Sequence, residues 1–199
     1  MNFKLKIALD LDDCIFDFYG TYKRYFPNPK DWEDAKITKN VWKLEYDKFF
    51  WENLPLIEKP NFEPCIYATK RVNRKEYTIN CLKKNGLPVK PIYQTLYQHG
   101  NKADIIKGRC DVLIDDSLGN VLKALEKRLP ALLITRPHNI NYDFKYRINS
   151  LDYDEIVYMY NIMINYYWSF YYFLVFYLQL TQIILLVHYR NHLEPIRVC

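Results

Sequence analysis

Short apolar runs alternate with amphipathic stretches along the first 160 residues. Five runs have the length and apolar character of buried strands: KLKIALDLDD, PCIYATKR, PVKPIYQTLY, CDVLIDDS and ALLITRP. The stretches between them predict helices, and the one after the second run ends at Asn85 and Gly86, a common helix stop. Strands that alternate with helices indicate the α/β class, with a doubly wound parallel sheet covered by helices on both faces. A last helix is predicted at about residues 151–162.

Residues 20–58 interrupt this alternation. They are rich in aromatic and charged residues, and the piece DWEDAKITKNVWKLEYDKFF has a helical spacing of apolar positions. We predict a small helical cap inserted after the first strand, with residues 1–19 and 59–162 forming the core domain. The chain has only five glycines and no glycine-rich phosphate loop, which argues against a P-loop or dinucleotide-binding fold.

The composition changes after residue 150. Residues 156–187 contain no Asp, Glu, Lys, Arg or His, and the segment 166–187 is long enough to cross a bilayer as one helix. Three interpretations of residues 163–199 stay open. They are a C-terminal membrane anchor, a non-native extension from a frameshift or read-through of an AT-rich message, or a buried oligomerisation helix.

Net charge and cysteine content limit the cellular location and the kinds of partner to be expected. The net charge of +5 is small and scattered, which favours a small anionic substrate over a nucleic-acid polymer. The five cysteines form no CxxC pair and follow no secretory leader, so we expect a reducing cytoplasmic location and no zinc site. Attachment to a membrane would come through residues 166–187, and the oligomeric state is open.

Acidic residues end two of the predicted strands. Asp10 and Asp12 close the first run, and Asp115 and Asp116 close the fourth. Carboxylates at positions i and i+2 of a strand point the same way and repel each other unless a cation or proton lies between them. One such pair is often a solvated turn or a helix cap. Its repetition on a second strand favours a shared Mg²⁺ site at the carboxyl edge of the sheet.

Two further residues suit a phosphate group at that edge. Thr69 ends the second predicted strand and can offer its hydroxyl to a phosphate oxygen, and Lys102 stands at a predicted helix start and can neutralise charge. Either residue alone is usually an ordinary surface residue, and only their order in the chain points to a site. Lys107, which is closer to the fourth strand, is the alternative lysine.

Taken in order, these residues resemble a known family. DLDDC at 10–14, Thr69, Lys102 and IDDS at 114–117 resemble the four motifs of the haloacid dehalogenase-like phosphohydrolase superfamily. Within it, IALDLDDCIFDF, FFWENLPLI and DVLIDDS are similar to the 5'(3')-deoxyribonucleotidase group, including its bacterial and phage members. The resemblance spans about residues 5–150. It departs at Cys14, where Thr or Val is more usual, and at KRVNRK after Thr69.

The resemblance implies a Mg²⁺-dependent phosphomonoesterase that works through an aspartyl-phosphate. Asp10 would be the nucleophile, and Asp12 the general acid and then the base, with its backbone carbonyl on the metal. Thr69 and Lys102 would hold the phosphoryl oxygens. The implied metal ligands are four of the five acidic residues in the two motifs: Asp10, Asp12, Asp115 and Asp116.

The implied substrate is a small phosphate ester, a nucleoside or deoxynucleoside monophosphate. Phe18 stands where the nucleotidase group places a base-stacking aromatic residue, while Phe50 and Trp51 either extend that wall or form the core of the cap. Two alternatives remain. One is a phosphatase for another small phosphate such as a sugar phosphate. The other is a non-catalytic binding protein, which the presence of both Asp10 and Asp12 argues against.

Overall fold

A six-stranded sheet forms the centre of the first of two compact units into which the chain divides, Met1–Tyr160 and Asn161–Cys199. The computed structural model describes residues 4–27, 39–71, 73–95, 100–166 and 181. All neighbouring strands of the sheet are parallel. The predicted α/β class with a parallel sheet is therefore confirmed.

The strand order is β3-β2-β1-β4-β5-β6. The strands are β1 (Ile7–Leu9), β2 (Ile66–Thr69), β3 (Ile92–Gln94), β4 (Val112–Asp115), β5 (Ala131–Ile134) and β6 (Arg147–Ile148). The chain runs outward from β1 to β3, returns to the middle as β4, and runs outward again to β6. The first five strands lie in the five predicted apolar runs, whereas a two-residue strand such as β6 leaves no such run in the sequence.

The reversal of strand order occurs between β1 and β4, the two central strands. Ile7 pairs with Val112 and Leu9 with Ile114. The Asp10 N–H then donates to the Ile114 carbonyl at 3.0 Å, so that Asp10 leaves the sheet beside the end of β4. In open α/β sheets the crevice at such a reversal is the usual ligand site.

Helices fill the connections between strands. Helices α1 (Phe18–Tyr25), α2 (Lys39–Lys43) and α3 (Lys48–Glu52) lie between β1 and β2, in and next to the segment predicted as a cap. Helices α4 (Lys75–Lys84), α5 (Lys102–Ile106) and α6 (Leu118–Glu126) follow β2, β3 and β4, and residues 153–160 are also helical. Helix α4 ends at Asn85 as predicted, and Gly86 takes the left-handed φ of +63° that such a stop requires.

Side chains cover both faces of the sheet. One face carries Ala8 and Leu113 into a buried cluster that includes Ile106 of α5 and Val121 of α6. Their neighbours along the strands, such as Leu9 and Ile114, point to the opposite face and are equally buried. A sheet that is buried on both faces gives the strand ends a rigid base.

The second unit is described only in part. Residues 161–166 are helical, and Thr181 is the other described position. Most of the apolar segment 166–187 thus lies outside the described residues, and its three interpretations stay predictions. Within the described part of the chain, no helix has both the length and the apolar character needed to cross a membrane.

Candidate functional site

The loop after β1 folds tightly back on itself. The N–H groups of Ile15 and Phe16 both donate to the Leu11 carbonyl at 2.9 Å, and the Asp13 N–H donates to the Phe16 carbonyl at 2.7 Å. Asp13 adopts a φ of +59°, a left-handed conformation that Asp tolerates better than most residues. This turn fixes the positions of Asp10 before it and Asp12 at its start.

Lys102 joins the two acidic motifs. Its Nζ lies 2.6 Å from Asp10 Oδ1 and 2.7 Å from Asp115 Oδ2, and all three side chains are buried. Burial alone would lower the pKa of Lys102, but the two carboxylates outweigh it and raise the pKa above its ordinary value. Lys102 therefore bridges the ends of β1 and β4 as a charged ammonium group. Lys107, the alternative lysine, is exposed at the end of α5.

Asp115 is surrounded by donors. Besides Lys102, its carboxylate accepts the Ser117 N–H at 2.9 Å and the Asn120 side-chain amide at 3.0 Å. Asn120, which no sequence pattern singles out, stands in the first turn of α6 and faces back toward the strand end. These contacts hold the Asp115 carboxylate in one position.

Three carboxylates converge at this edge of the sheet. Asp10, Asp115 and Asp116 each offer one oxygen, and these oxygens lie within 4.8 Å of one another. All three residues are buried, and hard oxygen donors suit a cation such as Mg²⁺. The donor set therefore fits a metal ion.

Asp116 contacts the loop that follows β5. Its Oδ2 lies 3.0 Å from His138 Nε2, and its backbone carbonyl accepts the side-chain amide of the buried Asn139 at 2.8 Å. Asn139 also donates to the Ile134 carbonyl at 2.9 Å, which ties the loop to the end of β5. Neither His138 nor Asn139 is predicted from the sequence to belong to the site.

Asp12 is held by a residue that the sequence pattern does not identify. The Arg71 Nε lies 2.9 Å and its Nη2 2.8 Å from Asp12 Oδ1, and Nε is also 3.1 Å from Oδ2. The guanidinium is fully buried between the rings of Phe16 and Trp51. Burial acts to lower the pKa of Arg71, but the Asp12 carboxylate outweighs it and raises the pKa. The Asp12 side chain thus has an arginine partner and stands apart from the three clustered carboxylates.

Thr69 connects the end of β2 to this ion pair. Its hydroxyl donates to Asp12 Oδ2 at 3.4 Å and accepts the Arg71 N–H at 3.3 Å. The next residue, Lys70, is half-buried, and burial followed by repulsion from Lys102 lowers its pKa. The structure therefore places Asp10, Asp12, Thr69 and Lys102 at one edge of the sheet, and the roles of these residues stay predictions.

Phe18 lies apart from the clustered carboxylates, packed between helices α1 and α3. Only 3% of it is exposed, and its ring packs against those of Tyr22, Phe50 and Trp51 at centroid distances of 5.8–5.9 Å. Phe50 and Trp51 are equally buried. The neighbouring rings cover Phe18 in this structure. Its base-stacking role stays a prediction.

A cavity of about 700 Å³ opens beside the β1 loop. Its lining includes Tyr19, Arg136, His138 and Tyr142, but not Phe18. Arg136 is fixed there, because its guanidinium donates to the Asp13 carbonyl at 3.2 Å and forms a 3.0 Å ion pair with Glu58. The cavity is of a size that accommodates a small organic molecule.

Comparisons with known proteins find a similarity to solved structures. The chain matches no protein-family model and no curated protein. A crystal structure of a dehalogenase is similar at a TM-score of 0.43 and 11% identity, covering 76% of this chain and 95% of that one.

Proposed function

We propose that this protein is a phosphomonoesterase in which Asp10 is the nucleophile. The observation that carries the proposal is the bridge from Asp10 through Lys102 to Asp115, with Asp116 beside it, at the reversal of strand order. A carboxylate that attacks a phosphate ester needs nearby cations, because both reactants are negatively charged. Lys102 supplies one such charge at hydrogen-bonding distance from the nucleophile.

The proposed reaction has two steps. In the first, an Asp10 oxygen forms a bond to phosphorus and the bond to the leaving alkoxide breaks; the alkoxide takes a proton from Asp12, which reacts in its protonated form, released from the ion pair with Arg71. In the second, water attacks the aspartyl-phosphate, Asp12 accepts its proton, and phosphate leaves with Asp10 restored. Thr69 and Lys102 are proposed to hold the phosphoryl oxygens through both steps.

A divalent cation fits the same site. Asp10, Asp115 and Asp116 would hold it, with the backbone carbonyl of Asp12 as a further oxygen ligand. When bound, it would neutralise charge on the phosphoryl oxygens.

We infer that the substrate is a nucleoside or deoxynucleoside monophosphate. Support comes from the sequence, since the segments around Asp10, Trp51 and Asp115 resemble the 5'(3')-deoxyribonucleotidase group. A sugar phosphate is the second candidate, because it would need the same chemistry at phosphorus.

The test is phosphate release by the full chain across a panel of nucleoside monophosphates and sugar phosphates, with and without Mg²⁺. We expect Mg²⁺-dependent release that favours deoxynucleotides, and a loss of at least about a thousand-fold in kcat for Asp10→Asn. Asp104→Asn is the matched control, since Asp104 is exposed on α5 and pairs with Lys127. Equal turnover by Asp10→Asn would contradict the proposed nucleophile, and a preference for sugar phosphates would contradict only the substrate.

A further inference from the structure

The loop after β5, residues 135–139, lies against the acidic edge of the sheet. Its histidine, His138, contacts Asp116: Nε2 is 3.0 Å from Asp116 Oδ2 and 3.3 Å from the Asp116 carbonyl oxygen. The side chain of His138 is only 10% exposed, and that of Asp116 is fully buried. An ionised carboxylate only accepts hydrogen bonds, so the imidazole N–H is the donor. The loop therefore engages one of the two carboxylate oxygens of Asp116.

The loop is itself anchored through its last residue, Asn139. The buried side-chain amide of Asn139 donates to the carbonyls of Asp116 and Ile134, at 2.8 and 2.9 Å. Its side-chain oxygen accepts the Arg136 N–H at 3.0 Å and an Arg147 guanidinium N–H at 2.8 Å. The loop therefore cannot move away from Asp116 without breaking several buried hydrogen bonds.

The same loop also contacts the turn after β1. Arg136 donates from Nε to the Asp13 carbonyl at 3.2 Å and from Nη2 to the Cys14 carbonyl at 2.8 Å. This turn begins with Asp12, whose backbone carbonyl is a proposed oxygen ligand of the cation. One short loop thus fixes the turn and Asp116 relative to each other.

Mg²⁺ and Ca²⁺ make different demands on a carboxylate site. Mg²⁺ requires near-octahedral geometry at about 2.0–2.1 Å, whereas Ca²⁺ takes about six to eight oxygens at about 2.3–2.6 Å and accepts both oxygens of one carboxylate. A carboxylate that holds a hydrogen bond on one oxygen binds a cation most readily through the other oxygen alone. A carboxylate fixed in this way favours the smaller ion, because Mg²⁺ tolerates less variation in ligand position.

We propose that His138 is a positioning residue that makes Asp116 a one-oxygen ligand and thereby gives the acidic site a preference for Mg²⁺ over Ca²⁺. The inference rests on the cation site of the proposed function, in which Asp10, Asp115 and Asp116 each offer one oxygen. Without the His138 hydrogen bond, the Asp116 carboxylate is free to rotate. Its rotation weakens Mg²⁺ binding and lets Asp116 offer both oxygens to Ca²⁺.

The experiment measures the binding of Mg²⁺ and of Ca²⁺ to the full chain by isothermal titration calorimetry, without substrate. The wild type should bind Mg²⁺ more tightly than Ca²⁺. His138→Ala should weaken Mg²⁺ binding about 10- to 100-fold and Ca²⁺ binding much less. His138→Gln, whose side-chain amide can donate to the same oxygen, should recover most of the Mg²⁺ affinity. Tyr142→Ala is the matched control, since Tyr142 lines the same cavity as His138 and should leave both affinities unchanged.

Three results would overturn the positioning role. One is a wild-type chain that binds Ca²⁺ at least as tightly as Mg²⁺, and this result does not depend on whether any variant folds. Another is an equal loss of affinity for both ions in His138→Ala, which would indicate lost structure and not lost positioning. The third is a Mg²⁺ affinity of His138→Gln as low as that of His138→Ala.

Phosphate release is measured on the same samples, so that the two proposals can fail separately. If the wild type releases phosphate with Mg²⁺ but one of these three results is found, only the positioning role of His138 fails. If the expected ion preference is found without phosphate release, the positioning role stands and the proposed phosphatase activity fails.

Discussion

Replacing Arg71 with methionine tests the structural role of the Asp12–Arg71 ion pair. Methionine keeps an unbranched apolar stem between the rings of Phe16 and Trp51 but removes the guanidinium that contacts both oxygens of Asp12. The Asp12 side chain is only 12% exposed, so its charge would lose its partner with little water to replace it. Breaking a buried ion pair from one side costs about 3–5 kcal/mol.

That cost is a large part of the total stability of a small domain, about 5–15 kcal/mol. The assay is urea denaturation followed by circular dichroism, which gives the free energy of unfolding for each variant. Arg74→Met is the matched control, because Arg74 is exposed and lies over the ring of Tyr46. We expect it to change the free energy of unfolding by less than about 1 kcal/mol.

A double variant separates the lost ion pair from lost packing. Arg71→Met combined with Asp12→Asn removes both charges, so it should recover part of the stability that Arg71→Met alone loses. A value for Arg71→Met within about 1 kcal/mol of the wild type would refute the reasoning. So would a double variant whose loss equals the sum of the two single losses, because additive effects would mean that the two charges do not interact.

Three further predictions concern the acidic edge. The pKa of Lys102 is raised in the folded chain, so its ion pairs stabilise the fold below the unfolded pKa of about 10.4. This stabilisation is lost as the pH rises through the raised pKa. The free energy of unfolding of Lys102→Met should therefore approach that of the wild type only at strongly alkaline pH. Lys107→Met should keep full phosphatase activity while Lys102→Met loses it, measured as phosphate release, and equal losses would contradict this assignment. Mg²⁺ should raise the unfolding temperature of the wild type, a chelator should reverse the rise, and Asp116→Asn should abolish it; an undiminished rise in the variant would place the cation elsewhere.

The sequence was sufficient to predict the central strands and to single out the acidic residues at the ends of two of them. A buried parallel strand leaves a continuous apolar run, and a carboxylate at its end breaks the run, so Asp10 and Asp115 are visible in the pattern. The same pattern places Thr69 at the end of β2. Parallel strands bring their carboxyl ends to one edge, which is why these residues meet.

The side chains that contact these acidic residues could not be predicted from the pattern of apolar runs. Contacts between separate structural elements give three residues their places in the site: Arg71, Asn120 and Asn139. In a sequence, an isolated arginine or asparagine in a loop or a first helical turn is usually read as a surface residue. Arg71 lies 59 positions from Asp12, and no periodic pattern records such a pairing. The burial of Phe18 was not predictable either, because its ring is covered only where α1 and α3 pack together.

The most direct test of the central claim is to trap the covalent intermediate on the wild-type chain. The protein is mixed with Mg²⁺ and a substrate carrying a labelled phosphate, quenched in acid and reduced with borohydride, which converts an aspartyl-phosphate to homoserine. Peptide mapping should then find homoserine at position 10. Turnover with homoserine at another aspartate, or with no homoserine at any position, would contradict the assignment of Asp10 as the nucleophile.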